Sequence, residues 1–187
     1  MLKNIGNLCL VLMVILSFGL ACEMEQTAEA NKLVNEANVQ IGKYNELAPK
    51  INTLFKELFG TGNKDAEEIE AFKKDNKAKF DELLSLGEQS SKAATDAADK
   101  FEPATKFKLN DKYKEYLNLK VQEWRKRAEN EKLLAPFIKS YLESKDVDKI
   151  NTLIDDYNKK NAAVVKESEE IEKKGDQIQK DNPGMLK

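Results

Sequence analysis

Histidine is absent from the 187-residue chain, and other residues that carry enzyme chemistry or tight turns are few: two cysteines, one tryptophan, eight glycines and four prolines. Without histidine there is no His-dependent catalytic triad, no zinc site of the usual His/Cys kind and no Glu-x-x-His pair of the sort that builds a di-iron centre in a helical bundle. No phosphate-cradling loop is present either; Gly60-Thr61-Gly62 lacks the lysine–serine continuation of such a loop and reads as a turn. Strand-like alternation is scarce, so no sheet is expected. Charge of one sign never accumulates. The 31 basic and 33 acidic residues are interleaved, for a net charge of −2, which leaves no basic stripe to track a nucleic acid backbone. Neighbouring carboxylates such as Glu67/Glu68 and Glu169/Glu170 point to different azimuths of a helix and read as solvated faces. The expectation is a protein that is not an enzyme and holds no metal or cofactor.

What is present begins at the N-terminus. Lys3, the apolar block Leu8–Phe18 and the small residues Gly19 and Ala21 have the basic–apolar–small layout of a secretory signal. The run is shorter than the roughly 20 residues a membrane span needs, and Glu23 and Glu25 follow at once. The stretch Gly19-Leu20-Ala21-Cys22 resembles the lipobox of bacterial lipoproteins. That resemblance implies cleavage before Cys22, with diacylglycerol on the Cys22 thiol as the membrane anchor of the mature chain. Because the next residue is Glu23 and not aspartate, it also implies an outer-membrane or cell-surface address over the inner membrane. Gly19-x-Ala21 equally suits an ordinary signal peptidase at the same bond. Cys9 lies inside the signal, so Cys22 keeps no intramolecular disulfide partner; it is acylated, free or bridged to another molecule. The expected organisation is a signal peptide over 1–21, a lipidated tether over 22–29, a helical domain over 30–183 and a tail over 184–187.

The domain is read from periodicity. Apolar positions 30, 34, 37, 41, 44, 48, 51, 55 and 58 step by three and four, which puts them on one face of a first helix. A turn at 59–63, whose glycines are free to take positive φ, ends it. Asp65 is the expected N-cap of a second helix with a seam at 69, 72, 76, 80, 83, 87, 90, 94, 97 and 101, ended or bent at Glu102-Pro103. A third helix, from Ala104 or Asn110 to Glu143, carries 113, 117, 121, 124, 128, 131, 135, 138 and 142 on its seam. A fourth, after a break at 144–146, carries 147, 150, 154, 157, 161, 164, 168, 171 and 178, and Asn182-Pro183-Gly184 ends it. Four long helices with short connections predict an all-α, up-down-up-down antiparallel four-helix bundle; an extended dimeric coiled coil is the competing arrangement. Leu47-Ala48-Pro49-Lys50-Ile51 also matches Leu134-Ala135-Pro136-Phe137-Ile138, and Asp65, Ile69 and Phe72 lie 81 places before Asp146, Ile150 and Leu153. These matches fit two repeated helical hairpins, 30–103 and 112–183, or a coincidence in a chain rich in Ala, Lys and Glu.

Candidate binding residues lie where two prolines interrupt the apolar seams. Pro49 and Pro136 each remove a backbone donor and clash with the preceding turn, which predicts kinks at one height, far from Cys22. Phe55, Phe59, Phe72, Phe137 and Tyr141 surround them. The arrangement is either an aromatic cap that closes the rods or a splayed end with an apolar groove for a lipid or a partner helix. At the opposite end, Ala93, Ala94, Ala97 and Ala98 face Ala30, Val34 and Ala37, and either pack closely or leave a cavity that Phe107, Tyr113 and Tyr116 could fill. Trp124 falls on a seam and reads as core, with Arg125, Lys126 and Arg127 on the solvated side. Glu131 is a seam carboxylate that Lys50 or a tyrosine must satisfy, and Asn76 and Asn161 read as similar register devices. The functional expectation is a membrane-anchored helical-bundle lipoprotein of the bacterial cell envelope that binds a protein partner, held to the membrane by lipid on Cys22. The alternative is a helical carrier or sensor that binds a small apolar ligand between kinked helices.

Overall fold

The computed structural model describes the backbone of residues 2–60 and 65–185, with side chains from Gln26 onward. Cys22 and the signal-like stretch lie outside the residues with described side chains, and Thr61, Gly62 and Asn63 of the expected turn lie outside the described residues altogether. The fold is all-helical, with no strand among the described residues. Six helices follow in order: α1 Leu2–Phe59, α2 Ala66–Asp75, α3 Lys77–Ala104, α4 Asp111–Lys132, α5 Leu134–Glu143 and α6 Val147–Asp181. Among the described residues no helix is long and apolar enough to cross a membrane.

The helices form where the pattern and the caps agree. Every seam position named above is buried or half-buried. Asp65 caps α2 in a reciprocal box: its carboxylate accepts from the Glu68 N–H at 2.9 Å, and Glu68 Oε2 accepts from the Asp65 N–H at 3.2 Å. Asn110 accepts from the Tyr113 N–H at 2.8 Å to start α4, and Asp146 from the Lys149 N–H at 3.1 Å to start α6. No described glycine has positive φ, so Gly60 leaves α1 without the left-handed cap expected of it.

Two of the four expected rods are broken. The second divides at Asn76, whose backbone N–H and side-chain amide both donate to the Phe72 carbonyl, at 3.0 and 2.9 Å. Asn76 is therefore a helix terminator and not a register device. The third divides at Leu133, whose N–H turns back to the Asn130 carbonyl at 3.1 Å. Pro136 explains this break: lacking an N–H, it cannot continue the ladder to Lys132, but it is tolerated in the first turn of a new helix, where no intrahelical acceptor waits. Pro49, by contrast, sits inside α1, which runs through it uninterrupted. The two members of the Leu-Ala-Pro repeat thus occupy different local structures.

Helices α1 and α3, α3 and α4, and α4 and α6 pack as antiparallel neighbours, with α5 against α3 and α6. Cross-links fix the directions: Glu36–Lys100 at 2.7 Å and Glu57–Lys79 at 3.1 Å join α1 to α3, and Lys126–Glu167 and Arg127–Glu172, both at 2.9 Å, join α4 to α6. The backbones of α1 and α6 scarcely approach; they meet through long side chains such as Phe55 and Tyr157. The alanine-rich end is closely packed: Ala94, Ala97, Ala98 and Ala104 are fully buried with Ala30 and Ala37, and Tyr113 and Tyr116 fill the remaining space. Gly175 lies against Tyr116, Leu119 and Lys120 of α4.

Two glycines test this packing in opposite directions. A Cβ on Gly87 would stand 2.8 Å from Leu134 Cδ2, whereas one on Gly42 meets nothing within 4 Å. Gly87→Val is expected to lower stability by about 1–3 kcal/mol through overpacking. Gly42→Ala, in the exposed interior of α1, is expected to raise it by about 0.5–1 kcal/mol. Urea midpoints at unchanged slope are the measurement, and equal shifts for the two variants would contradict this packing.

Candidate functional site

The predicted aromatic residues do meet. Phe59 of α1 lies 5.0 Å from Phe137 and 4.9 Å edge-on from Tyr141, and Phe55 lies 6.0 Å from Phe137 (ring centroids). Two rings outside the expected groove residues join them: Phe80 of α3, 5.6 Å from Tyr141, and Tyr157 of α6, stacked on Phe137 at 4.5 Å. Such pairs add about 0.5–1.5 kcal/mol each beyond area burial. Phe80, Phe137 and Tyr141 are buried, and Phe55 and Phe59 half-buried, so the rings fill the space that an apolar groove would need. Pro49 and Pro136 are both exposed and stand outside the cluster. Lys73 is buried beneath it: the ammonium donates to the Ser144 carbonyl and to Glu70 at 2.9 Å, and lies 5.4 Å from the centre of the Tyr141 ring. A lysine under an aromatic cap carries no signal in the sequence, because Lys73 sits beside the seam residue Phe72 in a run, Lys73-Lys74, that reads as solvated.

A second constellation lies at mid-height, between two apolar clusters. One cluster holds Ala37, Ala94, Tyr113 and Trp124; the other holds Ile51, Leu83, Leu134 and Phe137. At the junction the seam turns polar: Tyr44, Ser90, Ser91, Asn130 and Glu131. The Tyr44 hydroxyl donates to Glu131 Oε1 at 3.1 Å, so the seam carboxylate is satisfied by a tyrosine and not by Lys50. Trp124, buried as expected, meets Tyr44 edge-on at 5.3 Å. Ser91 Oγ donates to the Ala128 carbonyl at 3.5 Å. Three buried polar atoms have no hydrogen-bond partner among the described residues: Ser90 Oγ, Trp124 Nε1 and Asn130 Oδ1. Ser90 and Asn130 belong to this layer, and the Trp124 indole borders it.

The cations beside Trp124 are not all solvated. The Arg127 guanidinium is half-buried, 5.1 Å from the Trp124 ring and 6.0 Å from Tyr44. Its Nε donates to Glu123 at 3.1 Å and its Nη2 to Glu172 at 2.9 Å, while Lys120 donates to the other Glu123 oxygen at 2.9 Å. Glu123 is only 1% exposed, and two cations bracket it. The signal for this network is the spacing Lys120, Glu123, Arg127, which sets a carboxylate within reach of cations three residues before and four after. Glu123 itself lies one place off the apolar seam, where a carboxylate reads as solvated.

Two hollows open from this layer. One of about 240 Å³ lies between α1, α4 and α6, lined by Tyr44, Arg127, Asn130, Ser168, Glu169 and Glu172 with Val165 at its rim. The other, about 440 Å³ and shallower, lies on the flank of α3 against the α4–α5 break, where Gly87, Ser91, Glu131 and Leu134 face it. Burial pushes the Glu131 carboxyl up from its ordinary value, against the opposing pull of the Tyr44 and Ser90 hydroxyls; the Ser90 contact falls short of a hydrogen bond. Burial likewise pushes Tyr44 up, and takes Tyr157 up to about 12, with the Glu131 charge adding to both.

These directions generate a pH prediction. A carboxyl whose pKa is raised on folding binds its proton more tightly in the folded chain. Its contribution to stability is therefore full below the ordinary value of 4.5 and is lost as pH rises through the raised one. The Glu131→Gln variant would keep an acceptor for Tyr44 and lose the titration. The melting temperature of Glu131→Gln minus that of the parent is expected to grow as pH rises from about 4.5, the model-peptide region, towards 7. A difference that is flat or falls with pH would contradict a desolvated Glu131.

Among the described residues no group of three or more Asp, Glu, Cys or His side chains gathers to hold a metal ion. The chain matches no protein-family model, no curated protein and no solved structure.

Proposed function

We propose that this protein is an exported lipoprotein of the bacterial cell envelope, acylated at Cys22, whose helical domain is a non-enzymatic module that binds another macromolecule. The helices are read as an up-down-up-down four-helix bundle in which α2–α3 and α4–α5 are each one broken rod. The observation that carries the reading is the filled interior. Among the described residues two apolar clusters and a cap of packed aromatic rings fill the seams, and the outer face is what the domain is read as offering a partner. The lipobox-like Gly19-Leu20-Ala21-Cys22 supplies the anchor, and Cys22 stands on the same helix, α1, that forms one wall of the domain. The address that follows from Glu23 is the outer membrane or the cell surface.

The alternative, a carrier or sensor for a small molecule, draws support from the mid-height hollows. Its apolar version is disfavoured by the rings that occupy the end between Pro49 and Pro136. Extraction of the purified protein with organic solvent separates the two readings: no stoichiometric apolar molecule is expected in the extract, and one that recurs would favour the carrier.

The anchor is tested by the intact mass of the protein recovered from its native host's membranes. A chain that begins at Cys22 and carries added acyl mass is the expected result. A chain that begins at Cys22 without added mass would remove the anchor and leave a secreted bundle with a terminal thiol.

A further inference from the structure

The hollow between α1, α4 and α6 has a chemistry of its own, independent of the anchor. Its neutral oxygens are acceptors whose protons are already committed. The Tyr44 hydroxyl gives its proton to Glu131, and Ser168, which is buried, gives its proton to the Val165 carbonyl at 2.8 Å. Asn130 Oδ1 is a buried acceptor with no partner among the described residues. Glu169 and Glu172 add carboxylates at the wall. The one cationic lining group, Arg127, spends its Nε on Glu123 and an Nη on Glu172. With Lys120 also on Glu123, the local balance of Lys120, Arg127, Glu123, Glu169 and Glu172 is one negative charge in excess.

An anion is a poor occupant of such a site, because it would add to the excess charge and leave the buried acceptor Asn130 Oδ1 without a donor. Among the described residues no group of three or more Asp, Glu, Cys or His side chains gathers there to hold a metal ion. A group with several N–H donors and a single positive charge fits both deficits, since a buried unpaired acceptor is costly and a hydrogen bond from a charged donor is among the strongest available. The volume of about 240 Å³ holds an amine of a few carbons, equal to about eight water volumes at ~30 Å³ each. Val165 at the rim is, with Val39, an exposed large apolar side chain among the described residues, and it suits the alkyl part. We propose that this hollow is a binding site for a small primary ammonium ion, held by Asn130 Oδ1, Ser168 Oγ, the Tyr44 oxygen and the Glu172 carboxylate.

Trp124, the chain's single tryptophan, meets both Tyr44 and Arg127 and reports on the site by fluorescence. The purified full-length protein is titrated with n-butylammonium chloride at constant ionic strength, with tetramethylammonium chloride and sodium butyrate as probes of the same size range. A saturable response to n-butylammonium alone is expected. Asn130→Ala and Ser168→Ala, each checked for an unchanged helical circular dichroism spectrum, are expected to weaken it about tenfold, the worth of one hydrogen bond to a charged group. No saturable response, an equal response to tetramethylammonium (which has no N–H), or a response only to butyrate would overturn the proposal. So would unchanged affinity in both folded variants, which would leave the hollow to water.

Discussion

The close approach of α3 to its two main neighbours is the constraint on which the rest of the architecture depends. Its buried face is largely small: Gly87, Ser90, Ser91, Ala93, Ala94, Ala97 and Ala98. Small side chains let backbones come near, so α1 and α4 both settle against α3 and are held there by van der Waals contact along their length. Two consequences follow. Large side chains gather elsewhere: the Tyr113/Tyr116 pair at one end, the ring cluster around Phe59 and Phe137 at the other, and Tyr44 against Trp124 between them. And α6, which has no such small face to meet, stays on the outer side of α4 with only Ile150, Ser168 and Gly175 buried.

Because α6 buries so little, its position rests on charge to an unusual degree. Lys120–Asp176, Lys126–Glu167 and Arg127–Glu172 pin it to α4 over nearly three turns. Exposed pairs of this kind are individually weak, about 0–1 kcal/mol. The Glu123 carboxylate differs, since it is buried and bracketed. Removal of one partner from such a group is far more costly than its net contribution when complete. Glu123 aims Arg127 toward α6, and that orientation sets which residue of α6 stands opposite. The network thus specifies register more than it adds stability, and it walls one side of the mid-height hollow.

Much of the fold was legible from periodicity, for a plain physical reason. A seam of three- and four-residue steps leaves only one way to bury the apolar face, and the positions from Ala30 through Ile178 obey it. The cap at Asp65 was legible as such, and Asn110 and Asp146 were legible only as positions near a helix start or break. The breaks at Asn76 and Leu133 were not. Asn76 falls on the seam, where polarity reads as register; its second use, folding an amide back onto the Phe72 carbonyl, depends on a local choice between two equally available acceptor geometries. Pro49 and Pro136 look alike in sequence yet diverge in structure, since Pro136 has Asn130 and Leu133 upstream to close a tight turn and Pro49 stays within a helix whose neighbours hold it. For the site, the aromatic residues were legible as a group because they share a face, and their role as a filled cap was one of the two readings they allowed. The polar layer was visible only as Glu131 and Trp124. Glu123, Arg127 and Lys73 escaped because charged residues beside a seam belong to the surface in most helices, and only three-dimensional crowding tells which are covered.

The polar layer and the gap between α1 and α6 are two aspects of one arrangement. Where α1 and α6 face each other the backbones scarcely approach. At the capped end the space is bridged by Phe55 against Tyr157, rings stacked at 5.2 Å. One level nearer the N-terminus the contact runs through α4: Arg127 reaches to Glu172 of α6 and lies over the Tyr44 ring of α1. That leaves a space lined by polar groups of α1, α4 and α6. A donor-rich occupant would tie the three helices together at this level. In a domain carried on a continuous α1, Tyr44 lies about 33 Å of helix from Cys22, at 1.5 Å per residue. Occupancy there would stiffen the half of the domain that lies beyond it, including the ring-capped end farthest from Cys22.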